Sequence, residues 1–258
     1  MPQTKIVFFD IDGTLIDMQA KKITPKMLET LHRLQDRGIK ICIATGRSPM
    51  VLPKIDGVAF DAYLTFNGSL CYDRKGVIFS NPIPHKDVVR FIQNAAALGR
   101  PVCVSTRDRL AANGADTDLT DYFFIANEPV PVADDFDAVC AEDIYQLMLG
   151  CHPKDYPALL DGAPGAKIAA WWDRAVDVIP AGGGKGIGIE KMLAYYGLDK
   201  GEALAFGDGN NDREMLQAVG TGVAMENGSP ELKAIADEIC GPVYEDGIYH
   251  YCADKGLI

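Results

Sequence analysis

Residues 5–9, Lys-Ile-Val-Phe-Phe, carry an apolar run, unbroken from Ile6, that stops abruptly at Asp10-Ile11-Asp12-Gly13-Thr14. A strand with one wet face alternates in polarity. A strand that is apolar throughout is buried on both faces, as in a parallel sheet covered by helices. The next segments have the same grammar. Thr24 and Pro25 read as a helix N-cap and first helical position. Met27, Leu28, Leu31 and Leu34 recur at helical spacing, and Gly38 stops the helix. Residues 39–44 are a second apolar strand and 62–66 a third.

The tail repeats the pattern. Ile189, Met192, Leu193 and Tyr196 make a helical stripe ending at Gly197, residues 203–207 read as a strand, and Met215, Leu216 and Val219 fall on the next helix. A short strand is expected at 221–225. Ser229 and Pro230 then open a helix expected to turn Leu232, Ile235, Ala236 and Ile239 inward. The middle differs: a helix is expected at 84–99, then strands at 101–106, 144–150, 167–172 and 175–180. Strand–helix–strand with buried strands predicts a parallel sheet with crossover helices. The fold class expected is α/β, a Rossmann-like parallel sheet formed by residues 1–82 and 183–258, interrupted by an inserted α+β domain at 83–182.

Composition narrows the function. The chain has 258 residues, 48% hydrophobic and 24% charged, enough apolar material for one large or two modest domains. It has no apolar stretch of about 18 residues, and its first ten residues do not follow a signal-peptide pattern, so a cytoplasmic location is expected. Seven cysteines, an odd number with no C-x-x-C pair, suggest reduced buried thiols rather than a disulfide framework or zinc knuckle. The net charge of −11 argues against nucleic acid or an anionic membrane as partner. A small anionic substrate stays open, because screening over about 8–10 Å lets local charges outweigh the total. None of this sets the oligomeric state.

In open α/β sheets, ligands sit beyond the carboxyl ends of the strands. Four such ends carry unusual polar residues: Asp10 to Thr14, then Thr45-Gly46-Arg47, then Asn67-Gly68, then Asp208-Gly209-Asn210-Asn211-Asp212. The Gly-Gly-Gly-Lys-Gly stretch at 182–186 comes after the insert and can return Lys185 to the same edge. Asp10, Asp12, Asp208 and Asp212 would then converge. Two like unit charges about 4 Å apart repel by about 4 kcal/mol at an effective dielectric near 20. Either a metal binds or some of these acids are protonated. The candidate ligands are hard oxygen donors without Cys or His, which favours Mg2+ over zinc or copper. Taken singly the motifs are weak. An Asp-x-Asp can solvate a turn, and Asn-Gly is more often simply a turn. The 182–186 stretch is not a nucleotide loop, since Ile179 and Gly186 stand where Gly and Ser or Thr are required, and Asp212 breaks a dinucleotide fingerprint. Asn67-Gly-Ser69 and Asn227-Gly-Ser229 match glycosylation acceptors, which mean nothing without secretion.

The ordered set Asp-Ile-Asp-Gly-Thr at 10–14, Ala-Thr-Gly-Arg at 44–47, Lys185, and Gly-Asp-Gly-Asn-Asn-Asp at 207–212 resembles the haloacid dehalogenase superfamily. Within it, the chain is most similar to Cof-type phosphatases with a large α+β cap of the C2 type. The resemblance spans nearly the whole chain and implies a Mg2+-dependent phosphatase acting on a small phosphomonoester, with sugar phosphates the leading class. It implies Asp10 as nucleophile and Asp12 as general acid and base. The ion would be held by Asp10, the Asp12 backbone carbonyl and Asp208, with Asn211 and Asp212 supporting the metal shell or Lys185. Thr45 and Lys185 would stabilise the phosphate, and Gly46, Arg47, Asn67 and Asn211 would lie against the substrate. Arg107, Arg109, Trp171, Trp172 and Arg174 are candidate readers of the leaving group in the cap. A phosphomutase on the same machinery and a non-catalytic phosphate-binding protein are the alternatives.

Overall fold

The computed structural model describes residues 3–125, 127–170 and 173–258; Trp171 and Trp172 lie outside the described residues. In chain order the elements begin β1 (Ile6–Phe9), α1 (Pro25–Asp36), β2 (Lys40–Ala44), β3 (Ala62–Thr65), β4 (Leu70–Asp73) and β5 (Gly76–Ser80). Next come α2 (His85–Ala97), β6 (Cys103–Ser105), β7 (Leu110–Ala112), α3 (Thr117–Phe124), α4 (Phe136–Val139), β8 (Gln146–Gly150), α5 (Tyr156–Leu160), β9 (Ala166–Ala169) and β10 (Ala175–Pro180). The chain closes with α6 (Lys185–Tyr196), β11 (Ala203–Gly207), α7 (Arg213–Ala218), β12 (Thr221–Met225), α8 (Pro230–Lys233), β13 (Glu238–Cys240) and α9 (Gly247–Asp254). Two compact units result. One joins residues 1–47, 53–80 and 184–258; the other is residues 81–183 with 48–52.

The first unit is built on an eight-stranded sheet of order β13-β12-β11-β1-β2-β3-β4-β5. It is parallel from β13 through β3 and antiparallel at β4 and β5. The apolar run of β1 is explained by burial on both sides. Ile6 and Phe8 pack with Ile189, Met192 and Met215 of α6 and α7. Phe9 stacks on Phe206, which meets Tyr251 of α9 edge to face. Helix α1 starts where Thr24 accepts a hydrogen bond from Met27 N at 3.1 Å with Pro25 next, and it buries Met27, Leu31 and Leu34.

The second unit is an antiparallel five-stranded sheet of order β7-β6-β8-β10-β9. Val104, Leu147, Leu149, Val176 and Val178 pack one face against α2, α4 and α5. Cys103, Ala112 and Met148 pack the other against Leu119 and Phe123 of α3.

Two readings need correction. Helix α8 ends at Lys233, and Ile239 is an exposed residue of strand β13 rather than an inward helical one. Asp237 N donates to Gly222 O at 2.9 Å and Gly222 N to the Asp237 carboxylate at 2.8 Å, which draws the chain into pairing with β12. Short apolar runs do not by themselves distinguish helix from strand. The β4–β5 hairpin, which extends the sheet beyond β3, was not expected from the pattern at all.

Candidate active site

In-phase pairing creates the site. Phe9 lies opposite Phe206 on β11 and opposite Ile43 on β2, so Asp10, Asp208 and Thr45 leave adjacent strands at one edge. Asp10 N donates to Phe206 O at 3.0 Å, which fixes the acid to the sheet rather than to a mobile loop. Carboxylate oxygens of Asp10, Asp208 and Asp212 lie within 4.8 Å of one another.

Lys185 is the first residue of α6 and is fully buried. A cation at a helix N-terminus opposes the helix dipole, so something stronger must hold it there. Its Nζ donates to Asp10 Oδ1 at 2.6 Å and to Asp212 Oδ1 at 2.5 Å. The second Asp212 oxygen accepts from the N–H groups of Asp208 and Gly209 at 3.0 and 2.9 Å. Asp212 therefore anchors both the lysine and the loop that carries Asp208. Thr14 Oγ1 donates to Asp208 Oδ1 at 2.8 Å.

The electrostatics express crowding. Burial pushes the Asp10 carboxyl well above its ordinary range, opposed by Lys185 and reinforced by Asp212 and Asp208. Burial, and then the charge of Asp212, push Asp208 up to about 7 despite the bond from Thr14. Burial alone would lower Lys185, but Asp10 and Asp212 hold its ammonium above the usual value. With all three ionised, the carboxylates against one ammonium leave two surplus negative charges. That surplus sits on hard oxygen donors with no nitrogen or sulfur ligand in the group, and it fits a hard divalent cation.

Asp12 stands apart from this cluster. Arg47 donates Nε to Asp12 Oδ2 at 2.7 Å and Nη2 to Oδ1 at 2.5 Å, a two-point fork. Thr45 is buried, and its Oγ1 accepts from Arg47 N at 3.2 Å, which leaves the hydroxyl proton to donate elsewhere. Gly46 passes beside the Asn67 side chain, where a Cβ would come to 3.1 Å from the amide. Asn67 is buried in a left-handed turn, φ 52°, and accepts at Oδ1 from Asn211 Nδ2 at 3.3 Å. Of the cap residues singled out, Arg109 pairs with Asp135 and Arg174 with Asp121, while Arg107 lies 3.9 Å from Asp108.

Two close approaches set the geometry. Gly13 has φ +85°, and a Cβ there would fall 2.2 Å from Asp208 Oδ2. A Cβ on Gly68 would fall 2.3 Å from Gly184 O, so the start of α6 seats backbone to backbone on the turn at 66–68. Gly184 and Gly186, on either side of Lys185, are packing spacers, since a Cβ on either would run into Glu214. Gly13→Ala is expected to lower kcat/KM by roughly a hundredfold, since about 1 Å of misplacement at a reacting centre costs that much. Circular dichroism should show the fold retained, and unchanged kinetics would refute the crowding.

Four supporting hydrogen bonds escaped the sequence reading: Thr14 on Asp208, the two N–H groups on Asp212, and Asn227, whose Nδ2 donates to Gly13 O at 2.8 Å. The available signal for Asn227 was positional, because it comes just after β12 at the same sheet edge as the acids.

Comparison with known proteins gives a consistent result. The family model described as haloacid dehalogenase-like hydrolase matches residues 7–252. YkrA of Bacillus subtilis (strain 168), which carries a provisional phosphatase name, is 35% identical over 257 residues, with 99% of each chain covered. Among solved structures, BT1666 of Bacteroides thetaiotaomicron, described among phosphatases of the haloalkanoate superfamily, superposes with a TM-score of 0.92 at 30% identity, covering 99% of this chain and 96% of that one. The subclass IIB sugar phosphatase BT4131 superposes at 0.88 with 28% identity, covering 99% and 100%. The chain therefore belongs to the haloacid dehalogenase-like hydrolases and is a phosphatase of that family.

Proposed function

We propose that this phosphatase hydrolyses a small phosphomonoester with Mg2+, by way of a phosphoryl group carried on Asp10. Sugar phosphates are the leading substrate class, supported by the likeness to BT4131. The observation that carries the reading is the buried Lys185 bridge between Asp10 and Asp212, with Asp208 beside it.

Asp10 attacks phosphorus through a carboxylate oxygen. The bond from phosphorus to the ester oxygen breaks, and Asp12 gives that oxygen a proton. Water then attacks phosphorus, Asp12 takes its proton, and inorganic phosphate leaves as Asp10 is restored. Arg47 has to release Asp12 for these proton transfers, since its fork engages both carboxyl oxygens. Thr45 donates its hydroxyl to a phosphate oxygen, and Lys185 balances charge on nucleophile and phosphate. Gly46, Asn67 and Asn211 line the substrate's approach. Asp10, Asp208 and the Asp12 carbonyl would hold the ion, with Asp212 placing Lys185 and the Asp208 loop. The ion would neutralise phosphate charge so that an acid can approach an anion. We assign recognition of the leaving group to the inserted domain. Seven free, buried cysteines support a reducing, cytoplasmic setting, and among the described residues no helix is long and apolar enough to cross a membrane.

Purified protein should hydrolyse p-nitrophenyl phosphate with Mg2+ and stop with EDTA, and a panel of phosphorylated metabolites should favour sugar phosphates. The pH dependence has a definite sign. Asp10 and Asp208 are raised when folded, so the metal-free folded state binds more protons than the unfolded state; these acids cost stability as pH rises above the ordinary carboxylate range, for Asp208 through about 7. Metal binding needs the ionised forms. The Mg2+-induced rise in Tm is therefore expected to be larger at pH 8 than at pH 5.5. Equal shifts at both would refute the assignment.

A further inference from the structure

The Asn227-Gly-Ser229 triplet resembles a glycan acceptor, yet its contacts point inward along the sheet edge. Asn227 uses both ends of its amide: Nδ2 donates to Gly13 O at 2.8 Å, and Oδ1 accepts from Val243 N at 2.9 Å. Two residues on, Ser229 N donates to the backbone carbonyl of Asp208 at 2.9 Å. Between them a Cβ on Gly228 would fall 2.9 Å from that same carbonyl. One short loop after β12 therefore holds the turn beyond Asp10 and the backbone of Asp208 together. Those two segments already touch, since a Cβ on Gly13 would lie 2.2 Å from Asp208 Oδ2. A small shift of the Gly13 peptide must displace the Asp208 carboxylate or open the gap to Asp10.

We infer that Asn227 is a positioning residue: it clamps the Gly13 carbonyl to the 242–247 loop and so sets the separation of the Asp10 and Asp208 carboxylates. The inference rests on the proposed metal-dependent reading of the site. Its amide does not reach the reacting atoms; it acts through the Gly13 peptide. Outer-layer hydrogen bonds of this kind typically change metal affinity or activity by 10–100-fold when removed.

The test is Mg2+ titration calorimetry on three variants, with kcat, KM and Tm measured alongside. Asn227→Ala is expected to weaken Mg2+ binding by roughly tenfold and lower kcat by a similar factor, leaving KM within about twofold of the parent. Val243→Pro removes the N–H that orients the amide and puts a ring carbon in its place against Asn227 Oδ1. It suits the backbone, because Val243 opens a short 3-10 turn and Pro242 is extended at φ −71°, ψ 159°. It should weaken Mg2+ in the same direction by a smaller factor. Val219→Ala, a buried change in the same unit away from these contacts, should lower Tm without moving Mg2+ affinity. If Asn227→Ala loses Tm but keeps Mg2+ affinity and kcat within twofold, the clamp is merely structural and the inference falls. Should that variant not fold, Val243→Pro decides by the same criterion. A parent protein that neither binds Mg2+ nor turns over would instead overturn the proposed function.

Discussion

Replacing Asp10 by Asn is expected to abolish phosphate release, by a factor on the order of 10^4 to 10^6, as for removal of other covalent nucleophiles. The fold should survive and the metal-free protein should gain stability. An amide oxygen still accepts from Lys185, whose 2.6 Å bond to Asp10 Oδ1 needs only an acceptor. The substitution also removes one of three crowded negative charges, and burial already pushes this carboxyl toward its neutral form. Acid quenching during turnover should find a phosphoryl group on the Asp10 peptide of the parent and none in the variant. Substantial turnover by the variant, with its amide intact by mass spectrometry, would remove Asp10 from the nucleophile role.

Lys185→Met should have the second large effect, on stability as well as rate. Methionine keeps much of the stem's volume but leaves Asp10 and Asp212 buried beside each other with no cation between them. Removing one partner of a buried ion pair costs about 3–5 kcal/mol. The loss should depend on pH. Asp10 is already raised by burial and would lose the cation that opposes this, so its folded form would hold a proton still more tightly. The folded state then binds more protons than the unfolded one, and the variant's stability should rise as pH falls from 7.5 toward 5. Urea unfolding at the two values reads this directly. A variant as stable as the parent at pH 7.5 would show that Lys185 does not neutralise the cluster. Turnover should fall by at least about a hundredfold, as for loss of one fixed stabiliser of transition-state charge.

Sequence legibility varied by element. The double-sided burial of β1 was readable because a strand without alternation has only one comfortable place, and the paired strands Phe9–Phe206 and Phe9–Ile43 occupy it. A change of grammar led to the expectation of an inserted domain at 83–182; the compact units of the structure divide at 81–183 with 48–52. Ile239 misled because the residues from 232 to 239 are too few to separate a helical stripe from a helix succeeded by an edge strand. The β4–β5 hairpin was hidden for a related reason: its outer strand is half exposed and has little apolar contrast.

From residue types and their order alone came the sheet, the edge where the acids gather, and the hard-oxygen character of that edge. These arise from local pattern, since burial dictates which side chains a strand carries and parallel crossovers bring the polar carboxyl-end tips to one edge. The partners were decided only by tertiary structure. Asp12 belongs to Arg47, 35 residues away, and Asp10 to Lys185, 175 residues away. Asp212 divides its oxygens between a lysine and two peptide N–H groups, and Asn227 ties down Gly13 across 214 residues. Periodicity records which way a side chain faces within its own element. It holds no record of what waits there, because that depends on strand register and on backbones close enough to exclude a single Cβ.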